Sequence, residues 1–379
     1  MPGLVPGVDP EGLMEFSVVF TDRSLNHMSK KFQGVMRDIG TMLREVYSAD
    51  AVALVPGGGT FAMESVARQF GTGAHALIVR NGWFSYRWSQ IFEAGGFAGQ
   101  TTVVMARPSG NAPQAPYAPP PIEEVVSAIR DAKPDVVFAP HVETSAGLIL
   151  PDDYITAMAA AAHEVGALVV LDCIASGCIW VDMQATGVDV LISAPQKGWS
   201  ASPSAGMVML SARAEARLAE TSSNSFAMDL RKWRSIMVAY EGGGHAYHAT
   251  MPTDALVGLR DAMVETRAMG FAAAKAAQWA LGRAVRGLLA DRGVRSVAAD
   301  GFGAPGVVVS YTNDPDIQAG RKFLAEGMQI AAGVPLQVGE GADFKTFRLG
   351  LFGLDKLADV DATVARLRGV LDRVIPAQA

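Results

Sequence analysis

Seven short apolar runs, separated mostly by stretches of helical periodicity, restrict this chain to a narrow set of folds. The runs are Ala51–Val55, Ala76–Arg80, Thr101–Met105, Val136–Ala139, Leu168–Leu171, Val188–Ile192 and Met207–Leu210. Each has the length of a strand, and near-continuous apolarity marks strands covered on both faces. Strands alternating with helices give a largely parallel sheet between two helical layers, an α/β fold.

The remainder of the chain divides around that sheet. Residues 1–15 are rich in Pro and Gly and read as an extended arm. Phe32, Val35, Met36, Ile39, Met42, Leu43 and Val46 recur at helical spacing. Pro108 to Pro121 holds six prolines and is expected to be a surface loop without regular structure. After the glycines at 242–244, Leu256 to Leu289 has a helical pattern with a break expected at Gly270. Gly306–Tyr311 and Phe347–Leu351 read as strands, and Val360, Val364, Leu367, Leu371 and Val374 as a last amphipathic helix. A chain of 379 residues accommodates a large domain over 16–254 and a smaller α/β domain over 255–379.

Charge and cysteine usage narrow the function. A formal charge of −6 and no basic cluster argue against nucleic acid or an anionic membrane as partner. The most apolar window, Ala167 to Val181, is interrupted by Asp172 and is too short to cross a bilayer. The start Met1-Pro2-Gly3-Leu4 has no signal-peptide pattern, and with only Cys173 and Cys178 the expected setting is the reducing cytoplasm.

Three places carry chemical potential. Pro56-Gly57-Gly58-Gly59-Thr60 joins a strand to a helix. There, backbone N–H groups and the positive end of the helix dipole can receive an anion. No Gly-Lys-Ser/Thr follows, so it is not a Walker loop. Gly57, Gly59 and Ala62 fit a loose dinucleotide spacing, but the next strand ends in Arg80-Asn81 and not in the acid that holds a ribose. Asp172 follows the run Ala167–Leu171, where it can pair with a cationic ring nitrogen or cap a helix; no cluster at ligand spacing surrounds it to suggest a metal. Lys197 follows Val188–Ile192, and a lysine desolvated at a strand end either marks the polar end of the strand or becomes a nucleophilic amine. Phosphate cradle, carboxylate and lysine, in that order, are the parts that pyridoxal phosphate requires.

From about Asn26 to Gly353 the chain resembles the class V aminotransferases of fold type I, above all the alanine–glyoxylate and serine–glyoxylate (serine–pyruvate) branch. The matching stretches are 57–64 (GGGTFAME), 81–87 (NGWFSYR), 141–147 (HVETSAG), Leu171-Asp172, Gln196-Lys197, 247–252 (YHATMP) and 347–350 (FRLG). The resemblance implies that Lys197 carries the cofactor as a Schiff base and serves as the base that moves the Cα proton. It implies that Asp172 pairs with the ring nitrogen, that Phe84 stacks on the ring and that Thr144 bonds the ring oxygen. Gly58, Gly59, Thr60 and the Gln196 side chain would hold the phosphate. Tyr247 and Thr250 would reach the site of a partner subunit in a homodimer, and Arg348 would clamp the substrate carboxylate. The implied reaction moves an amino group from a small L-amino acid of the alanine or serine type to glyoxylate, pyruvate or a similar 2-oxo acid.

Two other readings share the fold and cofactor. A cysteine desulfurase needs a mobile cysteine late in the chain, yet no cysteine follows Cys178, and Gln196 stands where desulfurases typically carry histidine; a lyase using no cysteine of its own stays open. A protein that only binds the cofactor would not require Lys197, Asp172 and Arg348 together. The Pro-Gly-Pro start of the family is absent: Val8 to Asn26 (VDPEGLMEFSVVFTDRSLN) differs, which leaves the amino donor unassigned. His27 and His141 fall in matching stretches and are expected in pocket or packing positions.

Overall fold

The computed structural model describes residues 8, 9 and 11–377. Residues 1–7 and 10 of the expected arm lie outside the described residues. Seven strands form the central sheet: β1 Ala51–Pro56, β2 His75–Arg80, β3 Gln100–Met105, β4 Val136–Pro140, β5 Leu168–Asp172, β6 Val190–Ser193 and β7 Ala205–Leu210, in the order β1-β7-β6-β5-β4-β2-β3. Strands β3, β2, β4, β5 and β6 pair in parallel, whereas β7 is antiparallel to both β1 and β6. The reversal has a local cause. The connection over 194–204 is a run of turns with no helix, and a parallel return needs a longer crossover.

Helices α1 Lys30–Tyr47, α2 Gly59–Phe70, α3 Trp83–Gly95, α4 Ile122–Ala132, α5 Asp152–Glu164, α6 Ala212–Glu220 and α7 Leu230–Glu241 accompany the sheet. Each apolar run meets a strand, and these strands are buried apart from the half-buried ends of β1 and β2 and the exposed edge strand β3. The helix foreseen from Phe32 to Val46 is α1. Ser29 caps it by accepting from Phe32 N, and its buried face is Phe32, Val35, Met36, Ile39, Met42 and Leu43.

Helices α8 Thr253–Met269 and α9 Phe271–Ala290 follow, broken at Gly270, whose φ of 91° suits glycine. A smaller antiparallel sheet comprises β8 Val307–Tyr311, β9 Ala331–Ala332 and β10 Thr346–Gly350 in the order β8-β10-β9. Helix α10 Val360–Val374 packs on α9.

Two expectations need correction. The proline-rich segment is not wholly irregular: Arg107–Pro108 pairs with Tyr117–Ala118, because these prolines lose only a donor and can still accept at the ends of a short ladder. The sixth strand starts at Val190, not Val188, because Asp189 is buried and anchors three other elements. Its carboxylate accepts from Val169 N (2.9 Å) and Ser211 Oγ (3.1 Å) and meets His163 Nε2 (2.9 Å).

Candidate active site

Strands β5 and β6 run side by side in parallel, with Ile192 opposite Asp172, so their C-terminal ends deliver Asp172 and the turn bearing Lys197 to the same edge. This is the edge at which open α/β sheets present ligand sites. Gly198 lies so close to the carbonyl of Gly177 that no side chain fits there. Cys178 Sγ donates to Gly198 O (3.4 Å), locking the loop after Asp172 against the lysine turn.

At the opposite wall β1 passes into α2. Gly57 has φ 119° and the ring of Phe61 occupies the space a β-carbon would need, so only glycine fits this turn. Gly58 precedes helix α2 as its N-cap and offers no side-chain cap, which leaves the positive end of the helix open toward the cavity that Gly59 and Thr60 line. A β-carbon on Gly59 would strike Ile174, and one on Gly206 of β7 would strike Ala62, so the start of α2 sits tightly on the sheet.

A cavity of about 200 Å³ is enclosed by Gly59, Thr60, Met63, Phe84, Arg87, Val142, Thr144, Asp172, Ile174, Ala175, Gln196 and Lys197. Three larger clefts of about 430, 850 and 310 Å³ lie elsewhere and are lined by none of these residues, so chemistry and not size marks the site.

Electrostatics set the two central groups apart from ordinary side chains. Burial raises the Asp172 carboxyl to about 6, against the opposing pull of the Ile174 backbone N–H (2.9 Å) and the charge of Lys197. Lys197 is partly buried, its surface opening into the cavity, and desolvation lowers its pKa; Asp172 opposes the shift while Arg348 and Arg87 add to it. Its Nζ lies 6.0 Å from the ring centroid of Phe84 and 5.5 Å from that of Phe352. Arg348, on β10, donates from Nε to Ala332 O (2.8 Å), and its guanidinium carbon is 5.7 Å from the Phe84 ring. No carboxylate pairs with it among the described residues.

The structure thus brings Gly59, Thr60, Phe84, Thr144, Asp172, Gln196 and Lys197 to one cavity, with Gly58 at its helix start and Arg348 within reach of Phe84. It does not bring Tyr247 and Thr250 there. They bond to each other (3.0 Å) on an exposed segment beside His27. Two residues that motif reasoning left without a role stand out. Glu143 is buried and accepts from Phe84 N (3.1 Å), Ser85 N (2.9 Å), Ser85 Oγ (2.7 Å), Ser145 N (3.1 Å) and Ser145 Oγ (2.6 Å). It caps α3 through these bonds and so fixes the Phe84 backbone. Arg87 donates to Thr60 Oγ1 (2.9 Å). Both sat inside the quoted stretches 141–147 and 81–87, but a single charged residue shows no partner in sequence. His141 is a buried packing residue, bonded to Ser176 Oγ (2.7 Å), and burial pushes it down to about 3, so it stays neutral. Cys173 and Cys178 are buried thiols that burial holds in the protonated form.

These residues fit pyridoxal phosphate on features of the chain itself: an uncapped helix start whose neighbouring glycines keep the backbone exposed, a buried carboxylate with no bridging cation, and an amine of lowered pKa. Together with the sheet order they define a fold type I pyridoxal-phosphate enzyme. The family model for class V aminotransferases matches residues 15–334, and the chain belongs to that family. It is a transaminase, dependent on pyridoxal phosphate, that passes an amino group to a 2-oxo acid. Similar proteins include a 2-aminoethylphosphonate–pyruvate transaminase of Burkholderia mallei, 29% identical over 93% of this chain and 90% of the relative. A soluble hydrogenase small subunit of Synechococcus is 25% identical over 92% of this chain and 87% of the relative. The crystal structure of an alanine–glyoxylate aminotransferase from Nostoc superposes with a TM-score of 0.77 at 24% identity, covering 92% and 88% of the two chains.

Proposed function

We propose that the protein takes the amino group of a small L-amino acid, of the alanine or serine type, and delivers it to glyoxylate or pyruvate. The observation that carries this reading is the convergence of Asp172, Lys197 and Thr60 on one small cavity, with Arg348 close to the Phe84 wall. The names of the similar transaminases, which specify pyruvate and glyoxylate, support the acceptor class.

Gly58, Gly59, Thr60 and Gln196 would hold the phosphate, Phe84 would cover the ring, and Thr144 would bond the ring oxygen. Pyridoxal phosphate, when bound, supplies a conjugated cationic ring that takes up the electron pair released at substrate Cα. Asp172 would keep the proton on the ring nitrogen, an ion pair strengthened by its burial. Lys197 Nζ would accept the Cα proton, and its lowered pKa raises the neutral fraction able to do so. Arg348 offers a planar fork for the substrate carboxylate.

The reading extends to assembly. Tyr247 and Thr250 act on the site of a second copy, so the functional unit is a homodimer, and the setting is cytoplasmic. Among the described residues no helix is long and apolar enough to cross a membrane. The chain divides into an arm over 1–15, a large lobe over 16–254 and a small lobe over 255–379. Helix α8, from Thr253, runs across that last division and lies along α1, with Arg260 Nη1 on Asp38 (3.0 Å).

Incubation of the holoprotein with L-alanine or L-serine should convert the aldehyde-form spectrum to the amine form, and glyoxylate or pyruvate should restore it. A spectrum unmoved by a full panel of amino acids sinks this reading.

A further inference from the structure

Arg87 has no task in the scheme above, although it lines the same cavity. It sits one helical turn after Phe84 on α3, so the two side chains share a face. Its guanidinium carbon is 5.3 Å from the Phe84 ring centroid, and Nη1 donates to Thr60 Oγ1 at 2.9 Å. No carboxylate pairs with it among the described residues.

We propose that Arg87 supplies the positive charge at the phosphate end of the cofactor site and, through Thr60, sets the direction in which that hydroxyl donates. The inference rests on the pyridoxal-phosphate reading of the cavity and deepens it.

Charge balance is the first reason. A phosphate monoester carries about −1.5 to −2 at neutral pH. The helix start offers only about half a positive charge. Gly58, Gly59, Thr60 and Gln196 are neutral, as are Tyr247 and Thr250. Among the described residues Arg87 and Lys197 are the only cations lining the cavity, and Lys197 would be engaged at the aldehyde. That leaves Arg87 alone to answer the phosphate with a full charge.

Hydrogen-bond direction is the second. A threonine hydroxyl has one hydrogen and two lone pairs. Since Oγ1 accepts from Arg87, its own hydrogen turns away from the guanidinium and is free to donate to an anion. The guanidinium itself has five N–H donors, of which one is used here, so it can bond a phosphate oxygen while still orienting Thr60.

The test compares the dissociation constants of pyridoxal 5′-phosphate and of pyridoxal, which lacks the phosphate, for wild type and R87M apoprotein. Loss of a charge-assisted contact should weaken the phosphate ester ~10- to 100-fold, while pyridoxal changes less than about threefold. R87K should fall between the two, since it keeps the charge and loses the fork. An R87M protein that binds the ester within about threefold of wild type, or that weakens both ligands equally, overturns the inference. A wild type that forms no borohydride-stable adduct overturns the underlying reading and the inference with it. Phosphorus NMR of the wild-type holoenzyme needs no variant: a cation at the phosphate holds the dianion, so the signal should not move between about pH 5 and 8, whereas free titration near 6 contradicts the proposal.

Discussion

The floor of the cavity and the segment from 242 to 252 are built in opposite ways. Asp172 and the Lys197 turn follow neighbouring buried strands of one chain, and Gly177, Cys178 and Gly198 clamp their loops together. Tyr247 is 53% exposed, its hydroxyl bonds Thr250, and the neighbouring His248 packs against the exposed Phe226. The floor is complete within the chain, whereas the tyrosine segment presents polar hydroxyls to no part of its own site. The contrast teaches that sheet topology alone assembles the reactive pair, while the role proposed for Tyr247 and Thr250 rests on a second copy that the proposed homodimer would supply.

The largest effect should come from the floor. Lys197→Ala should slow the half-reaction with L-alanine by ~10²–10⁴ or more, read by stopped-flow absorbance, because proton transfer by a positioned base contributes that much. Asp172→Asn should slow the same step by ~10²–10³, in line with about 3–5 kcal/mol for breaking a buried charge pair.

The same substitution has an opposite effect on the empty protein, and the sign follows from linkage. Burial raises Asp172 to about 6 in the folded state. Between about pH 4 and 6 the unfolded chain releases this proton before the folded one, so stability falls as pH rises. A shift of about two units corresponds to ~3 kcal/mol. Asp172→Asn apoprotein should therefore melt higher than wild type at pH 7, with the difference gone near pH 4. An equal gap at both pH values would contradict the burial assigned to this carboxyl.

Smaller effects belong to the periphery. Arg348→Lys should raise KM for the amino acid by ~10-fold, since one ammonium replaces a bidentate fork. Tyr247→Phe should weaken cofactor binding ~5-fold, the loss of a single hydrogen bond. Mixing sharpens the comparison: inactive Lys197→Ala and weakened Tyr247→Ala proteins, refolded together, should regain sites that hold both native residues. No gain on mixing would return Tyr247 to its own subunit.

Legibility in the sequence follows the same divide. The strands were readable because burial on both faces demands unbroken apolar runs, and the break at Gly270 because only glycine suits its φ. Asp172 was readable as a carboxylate directly after such a run, and Lys197 as a lysine in the turn that follows the next one. Asp189 misled the strand boundary, since a buried carboxylate bonded to Val169 N and Ser211 Oγ looks in sequence like part of the strand. Glu143 and Arg87 stayed hidden because their meaning lies in partners across the fold: Phe84 and Ser85 are some sixty residues from Glu143, and Thr60 is on another helix from Arg87. The role of Tyr247 and Thr250 depends on resemblance alone, because within the described chain they meet each other and His27 and not the cavity.

The most direct measurement is reduction of the cofactor-loaded protein with borohydride, followed by peptide mass mapping. The account predicts a single stable pyridoxyl label, on Lys197, lost in Lys197→Ala. A label on another lysine, or none, would contradict it.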